Sequence, residues 1–538
     1  MSEKENIFYE GNLTSEWKDL SLGQLLLKQL ALHGTSVAQI NAHTGKEQTF
    51  EYILNTSRKL AIFLQREGIR ANDVIAICSE NNVEFGIVIC AILYLGATVY
   101  PLNPLYSERE FKHAFAISKP KYIFISAIAY SNIKNIINNL YWSPKILMLT
   151  EHHNTSITQL NLSRAISSIS DDDMNAFRAA LIDVNNHIAA ILCSSGTTGL
   201  PKGVMLTDKN FITVIKNVIE LQLYKQKFTA LALLPFFHAY SFTVMLLRFI
   251  SGTMSVILSR FEEELFLQCI EKYRIENLTL VPPLMVFLAK HPLVDKYDLS
   301  SIKAIVCGAA PLSTEIHMAV TKRLNIPEIR EGYGLTETTL GVLFSTGDKE
   351  KPGSFMLAPA TSAKIIPLGE FGTDKTLGPN CRGELCLKGD LIMKGYYNDE
   401  ESTRRTIDKD GWLHTGDVGY YDEEGYFYIV DRIKELIKYK GYQVPPAELE
   451  EVLLTCPNVK DAAVIGVPDE KAGELPMAFI VKQDNSNICE RDIVQYVNER
   501  VSNPKRLRGG VKFVSSIPKT ASGKILRRLL RDSLRSKL

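Results

Sequence analysis

Apolar positions recur along the chain with two periods. Residues 17–33 set Leu20, Leu22, Leu25, Leu26, Leu27 and Leu30 among polar residues, which predicts an amphipathic helix. Phe50–Gln65 predicts another, opened by Thr49. Short apolar runs at 73–78, 97–101, 121–125 and 145–149 predict strands, with helices over 83–95 and 108–117 between them. Strands alternating with helices predict a layered α/β unit around a largely parallel sheet. The unbroken apolar run Ile188–Cys193 predicts a strand, as do Val204–Leu206, 230–234, 278–281 and 304–306. Thr207-Asp208 opens a helix over 210–221, and Ser313 caps one that runs to Arg323.

From 351 to 431 the pattern changes. Short strands separated by Pro-Gly, Leu-Gly-Pro-Asn and Asp-Glu-Glu-Gly turns predict a small antiparallel, barrel-like unit. The basic stretch 431–441 reads as a boundary. Beyond it come a helix at 447–454, strands at 462–466 and 477–481, a helix at 491–501 and a strand at 510–513, which suffice for a small α+β domain. The expected architecture is α/β. A large N-terminal domain, 1–431, combines layered subdomains with the barrel-like part, and a small mobile C-terminal domain covers 432–538. With 538 residues, more than one core is required.

Composition narrows the function. A net charge of +1 gives no electrostatic footprint for nucleic acid or an acidic membrane. The nine cysteines show no metal or redox spacing, which fits free thiols without disulfides or zinc. The longest apolar run, Phe85–Tyr100, is too short to span a bilayer. The polar start carries no signal peptide, and Ser536-Lys537-Leu538 reads as an address for a peroxisomal import receptor. A monomer is expected.

Candidate chemistry concentrates between two apolar strands. Ser194, Ser195, Gly196, Thr197, Thr198, Gly199 and Lys202 supply hydroxyls, close backbone and one cation, which suit a polyphosphate. Pro201 before Lys202 and Gly203 after it exclude the Gly-Lys-Ser/Thr order of a Walker A loop. The strand at 304–306 runs into Cys307-Gly308-Ala309-Ala310-Pro311, small residues at the kind of strand end where α/β sheets hold ligands. Residues 329–339 form a second strand-to-turn transition rich in glycine and hydroxyls.

Four motifs occur in order: Ser194-Ser195-Gly196-Thr197-Thr198-Gly199-Leu200-Pro201-Lys202-Gly203, Gly332-Tyr333-Gly334-Leu335-Thr336-Glu337-Thr338, Thr415-Gly416-Asp417 and Pro518-Lys519-Thr520-Ala521-Ser522-Gly523-Lys524. Together they resemble the acyl-adenylate-forming superfamily over nearly the whole chain, and within it the beetle luciferase-like branch. Leu234–Ala239, Cys307–Leu312, 294–300 and Leu507–Val511 carry that narrower likeness.

The resemblance implies that a carboxylic acid is activated by ATP to acyl-AMP, and that the thiol of CoA then displaces AMP. It assigns the loop with Lys202 to the phosphates. Thr336 and Glu337 go to Mg2+, and Gly308, Ala309, Ala310, Tyr333, Gly334 and Thr338 to the adenylate. Asp417, Arg432 and Gln443 complete the nucleotide site. His238 is placed where carboxylate and α-phosphate meet, and Lys524 bridges the two. Lys438, with Lys440 and Gly441, would serve thioester formation from another face after the C-terminal domain rotates. Tyr240, Leu340 and Gly341 would border the acyl pocket. Luminous relatives carry serine then alanine where this chain has Leu340-Gly341. The expectation is therefore a fatty acyl-CoA ligase, feebly luminous at most. The alternative is a luciferase, and a third reading is an inactive luciferase-like binding protein.

Overall fold

The structure, a computed structural model, describes residues 7–11, 17, 19–149, 161–194, 200–222, 228–345, 351, 353–483, 486–520 and 523–535. The expected elements of the first third are present, with their ends moved by one or two residues. The helix Phe50–Arg66 starts where Thr49 accepts a hydrogen bond from the N–H of Tyr52. The helix Val83–Tyr94 is capped by Asn82. Because it is sandwiched between layers, it is apolar on nearly every face.

Strands Val74–Cys78, Thr98–Leu102, Tyr122–Ile125, Lys145–Met148 and Ile188–Ser194 run parallel in a seven-stranded sheet. Strand Lys202–Thr207 folds back antiparallel on Ile188–Ser194, with Ser194 opposite Lys202. The ends of the phosphate-loop motif therefore face each other. Ser195, Gly196, Thr197, Thr198 and Gly199 lie outside the described residues.

A second sheet of fourteen strands crosses the large domain. Its parallel half contains Val37–Asn41, Ser255–Ile257, Ala230–Ala232, Asn277–Leu280, Ala304–Gly308 and Glu328–Gly334. Its antiparallel half holds Gly341–Ser345, Phe355–Leu357, Phe427–Arg432, Leu413–Tyr421, Gly383–Gly389 and Thr361–Ile366, with Phe8–Glu10 at the edge. The expected barrel-like unit of 351–431 is thus antiparallel, but hydrogen bonds carry it straight into the parallel sheet. Among the described residues the strand order is open, not closed.

Several helices were not anticipated from the pattern. One is Ala239–Ser251, buried along almost its whole length. Another is Pro282–Lys290, which begins with two prolines.

The small domain is a five-stranded sheet with helices Pro446–Leu454, Glu490–Asn498 and Arg527–Arg535. Its first hairpin turns on Lys440 and Gly441, with φ of 47° and 80°. Left-handed backbone at both positions matches the tight turn that follows strand twist. The helix Arg527–Arg535 is anchored by Arg527, which donates to Glu450 at 2.7 Å. The loop carrying Lys524 leans on the large domain. Gly523 has φ +82°, and a Cβ there would meet Pro283 Cδ at 2.8 Å. Only glycine fits that approach.

Candidate active site

Strands Ala304–Gly308 and Glu328–Gly334 pair in register, bringing Gly308 opposite Gly332. A Cβ on Gly308 would lie 3.3 Å from the Gly332 carbonyl and 3.4 Å from the Tyr240 ring. Tyr240 is held by a hydrogen bond to the Val306 carbonyl at 3.1 Å. Ala309 has φ +72°, a left-handed conformation costly without glycine. Such strain at a strand end is commonly part of a ligand site.

Tyr333, at the end of the neighbouring strand, donates its phenol proton to Asp417 Oδ2 at 2.7 Å. Asp417 and Arg432 are cross-strand partners, and Arg432 Nε lies 3.4 Å from Asp417 Oδ1. Among the described residues that oxygen makes no hydrogen bond, although Asp417 is only 4% exposed. Burial pushes the Asp417 carboxyl up from its ordinary value, opposed by Arg432, the Tyr333 hydrogen bond and Lys524. A cavity of about 560 Å³ opens here, lined by Asp417, Arg432, Lys434, Lys438 and Gln443 among others.

Lys438 and Gln443 are cross-strand partners in the Lys440–Gly441 hairpin. Both therefore face this cavity, so Lys438 does not sit on a face turned away from it. Lys440 and Gly441 are exposed at the turn.

Lys524 enters from the small domain. Burial and the neighbouring Arg432 and Lys434 pull its ammonium down to about 7, while Asp417 and Glu337 act against the fall. Its backbone N–H is fixed by Thr520 Oγ1 at 3.1 Å. One lysine thus feels carboxylates from two other motifs.

Glu337 stands in the short turn Thr336–Thr338, and its Oε1 accepts from the Tyr396 hydroxyl at 2.9 Å. Lys202 places its ammonium 4.7 Å over the Tyr396 ring and donates to Ser402 Oγ at 2.8 Å. Tyr396 and Ser402 were missed by sequence reasoning. The pair Gly395-Tyr396 carries no local chemical signal, and only sheet pairing to Met205 and Val204 brings it here.

A single carboxylate beside a hydroxyl, Glu337 with Thr336, suits Mg2+, which takes one or two carboxylates and otherwise phosphate oxygens and water. Thr338 is different. Its hydroxyl accepts from the Leu335 N–H at 2.8 Å and contacts the Leu335 and Leu340 carbonyls, so it builds the turn.

His238 precedes the helix Ala239–Ser251 and makes no side-chain cap bond. Burial pulls its imidazole down to about 4, so it is neutral at physiological pH. Leu340 is half-buried and packs against two core clusters. Gly334 lets the Leu340 carbonyl approach to 1.9 Å from where a Cβ would stand. Gly341 is similarly obliged by the Phe344 ring, 2.6 Å from a Cβ there.

Fold and site together define an adenylate-forming enzyme. Residues 26–397 match the AMP-binding enzyme family, and residues 448–524 match the AMP-binding enzyme C-terminal domain. The chain belongs to this family. It is 41% identical to a luciferin 4-monooxygenase of Photuris pensylvanica, covering 98% of each chain. It is 37% identical to a probable 4-coumarate–CoA ligase of Dictyostelium discoideum, over 95% of this chain and 94% of that one. Among solved structures, a red-emitting luciferase of Phrixothrix hirtus is 38% identical, with a TM-score of 0.73 and 99% of each chain covered.

Proposed function

We propose that the protein is an ATP-dependent acyl-CoA ligase acting on a medium- or long-chain fatty acid, with Mg2+ and CoA, inside peroxisomes. The observation that carries the nucleotide half is the buried Asp417 Oδ1, which makes no hydrogen bond and borders the cavity. A ribose hydroxyl supplies the hydrogen bond that this oxygen, 3.4 Å from Arg432 Nε, lacks among the described residues. Unsatisfied buried acceptors are costly, so their pairing favours ligand binding.

In the first step a carboxylate oxygen attacks the α-phosphorus of ATP and pyrophosphate leaves. The Lys524 ammonium, which feels the carboxylates of Asp417 and Glu337, offsets the charge that develops. His238, kept neutral, orients the carboxylate by hydrogen bonding. Mg2+ bound by Glu337 and Thr336 would neutralise phosphate charge. In the second step the thiol of CoA attacks the acyl carbon and AMP leaves, with Lys438, Lys440 and Gly441 on the small domain serving CoA.

The fatty-acid assignment rests on Leu340-Gly341. Leucine neither donates nor accepts, and adds apolar surface suited to an alkyl chain. The luciferase reading keeps support from the 41% identity to a luciferin 4-monooxygenase. The deciding experiment measures pyrophosphate release over a panel of carboxylic acids with and without CoA, and light emission from the same preparation with beetle luciferin. CoA-ester formation with fatty acids and feeble light are expected. Bright emission without CoA-ester formation overturns the proposal.

A further inference from the structure

Below the turn that presents Asp417 lies a second, separate cluster. Cys386 and His414 are cross-strand partners on strands Gly383–Gly389 and Leu413–Tyr421, and Glu384 is two residues from Cys386 on the same strand. One donor atom from each of Glu384, Cys386 and His414 lies within 4.8 Å of the other two. His414 Nδ1 is 3.1 Å from Glu384 Oε2 and 3.7 Å from Cys386 Sγ. Exposure is 9% for Glu384, 0% for Cys386 and 8% for His414, so the donors are removed from competing water.

We propose that Glu384, Cys386 and His414 form a binding site for a zinc-class divalent cation. Tetrahedral zinc has bonds of about 2.0 Å to nitrogen and oxygen and about 2.3 Å to sulfur, which sets donors roughly 3.3–3.6 Å apart. The two measured separations bracket that range, and mixed sulfur, nitrogen and carboxylate donors favour zinc over magnesium.

The outer shell is also in place. Among the described residues His414 Nε2 makes no hydrogen bond, and it lies 3.5 Å from Asp408 Oδ2. Without metal, Nδ1 carries the ring proton and donates it to Glu384 Oε2; a cation taken at Nδ1 displaces that proton, and Asp408 is placed to receive the one then carried by Nε2. Asp408 is itself fixed by the N–H groups of Asp410 and Trp412, each at 2.9 Å.

Charge is compatible as well. At Cys386 the carboxylates of Glu384 and Asp408 act against the ammonium of Lys364, and Lys364 and Lys388 lie 4.7 and 5.9 Å over the Trp412 ring. Burial keeps the Cys386 thiol protonated without metal. Binding forms the sulfur–metal bond and releases that proton to solvent. Entry is past Phe371, half exposed and stacked on His414 at 4.0 Å.

Occupancy has a consequence for the neighbouring site. Glu384 Oε1 accepts from the Gly416 N–H at 3.0 Å, one residue before Asp417. A cation joining Glu384 to His414 stiffens the turn that presents Asp417.

The test titrates Co2+ into the full chain carrying Cys381→Ser and Cys489→Ser, which removes the two exposed thiols. The expected result is a near-ultraviolet thiolate-to-cobalt band with tetrahedral visible absorption, saturating at one equivalent and lost on adding Zn2+. Adding Cys386→Ser is expected to remove the near-ultraviolet band, and adding His414→Gln to weaken binding at least tenfold. Absence of the band in the starting protein overturns the proposal, as does its persistence in folded Cys386→Ser protein. Should Cys386→Ser fail to fold, His414→Gln decides, and an unchanged titration there overturns the proposal equally.

Discussion

Tyr333 donates to Asp417 Oδ2 at 2.7 Å, and among the described residues the other oxygen of the same carboxylate is left without a hydrogen bond. A buried acid that would otherwise resist ionisation is thereby aimed at the cavity with one acceptor free. Tyr333→Phe keeps the ring face but removes this bond. Hydrogen bonds to charged groups contribute about 1.5–3 kcal/mol, so nucleotide affinity is expected to fall roughly 10- to 100-fold. Because the bond lowers the Asp417 pKa, its loss moves the acidic limb of binding to higher pH. Calorimetric titration with ATP at several pH values checks both. Unchanged affinity rules out the assigned role.

Lys524 is held near pKa 7 in the nucleotide-free protein. A phosphate beside it favours the ammonium, so ATP binding between about pH 7.5 and 9 is expected to take up a proton. Calorimetry in buffers of different ionisation heats measures this, and Lys524→Ala is expected to abolish the uptake. The same variant is expected to lose acyl-AMP formation by about 3 kcal/mol of barrier or more, while sparing thioester formation from supplied acyl-AMP. Lys438→Ala is expected to do the reverse. Equal loss of both steps in either variant refutes the division of labour.

The His238 pKa is lowered from 6.5 to about 4. Between those values the unfolded chain binds a proton that the folded protein does not. Stability is therefore expected to fall as pH drops from about 6.5 to 4. His238→Gln is expected to flatten that part of the pH–melting profile and to reduce adenylation. A profile identical to wild type discounts the titration argument.

Leu340 packs against two cores. Leu340→Ser is therefore expected to cost roughly 1–2 kcal/mol of stability, less than a fully buried truncation. If the residue also borders the acyl pocket, fatty acyl-CoA synthesis falls and light with luciferin rises. A stability loss with neither activity changed assigns Leu340 to packing alone.

Ser536-Lys537-Leu538 lies outside the described residues. Deleting Leu538 from a fluorescently tagged chain is expected to leave the protein in the cytosol. Continued peroxisomal import shows that the address lies elsewhere.

Much of the fold was legible because its signals are local. Thr49, Thr207 and Ser313 cap their helices through their own side chains, within a few residues of where pattern and composition place them. The strands buried on both faces read as apolar runs. The helices Ala239–Ser251 and Pro282–Lys290 were not legible: the first buries polar residues such as Thr243 and Arg248 along with its apolar ones, and a double proline reads as a breaker. The motif residues could be named, but Tyr396 and Ser402 could not. Their chemistry comes only from what they touch.

The sequence by itself determined the alternation of elements, the four motifs and the residue types available for nucleotide chemistry. These depend on periodicity and on spacings of a few residues. The tertiary structure decided which side chains meet. Tyr333 and Asp417 are 84 residues apart, and Lys202 and Ser402 are 200 apart. It also set Glu384 and Cys386 against His414. Such meetings follow from strand register and sheet order. The chain settles these cooperatively when it buries its apolar faces, so no short stretch of sequence encodes them.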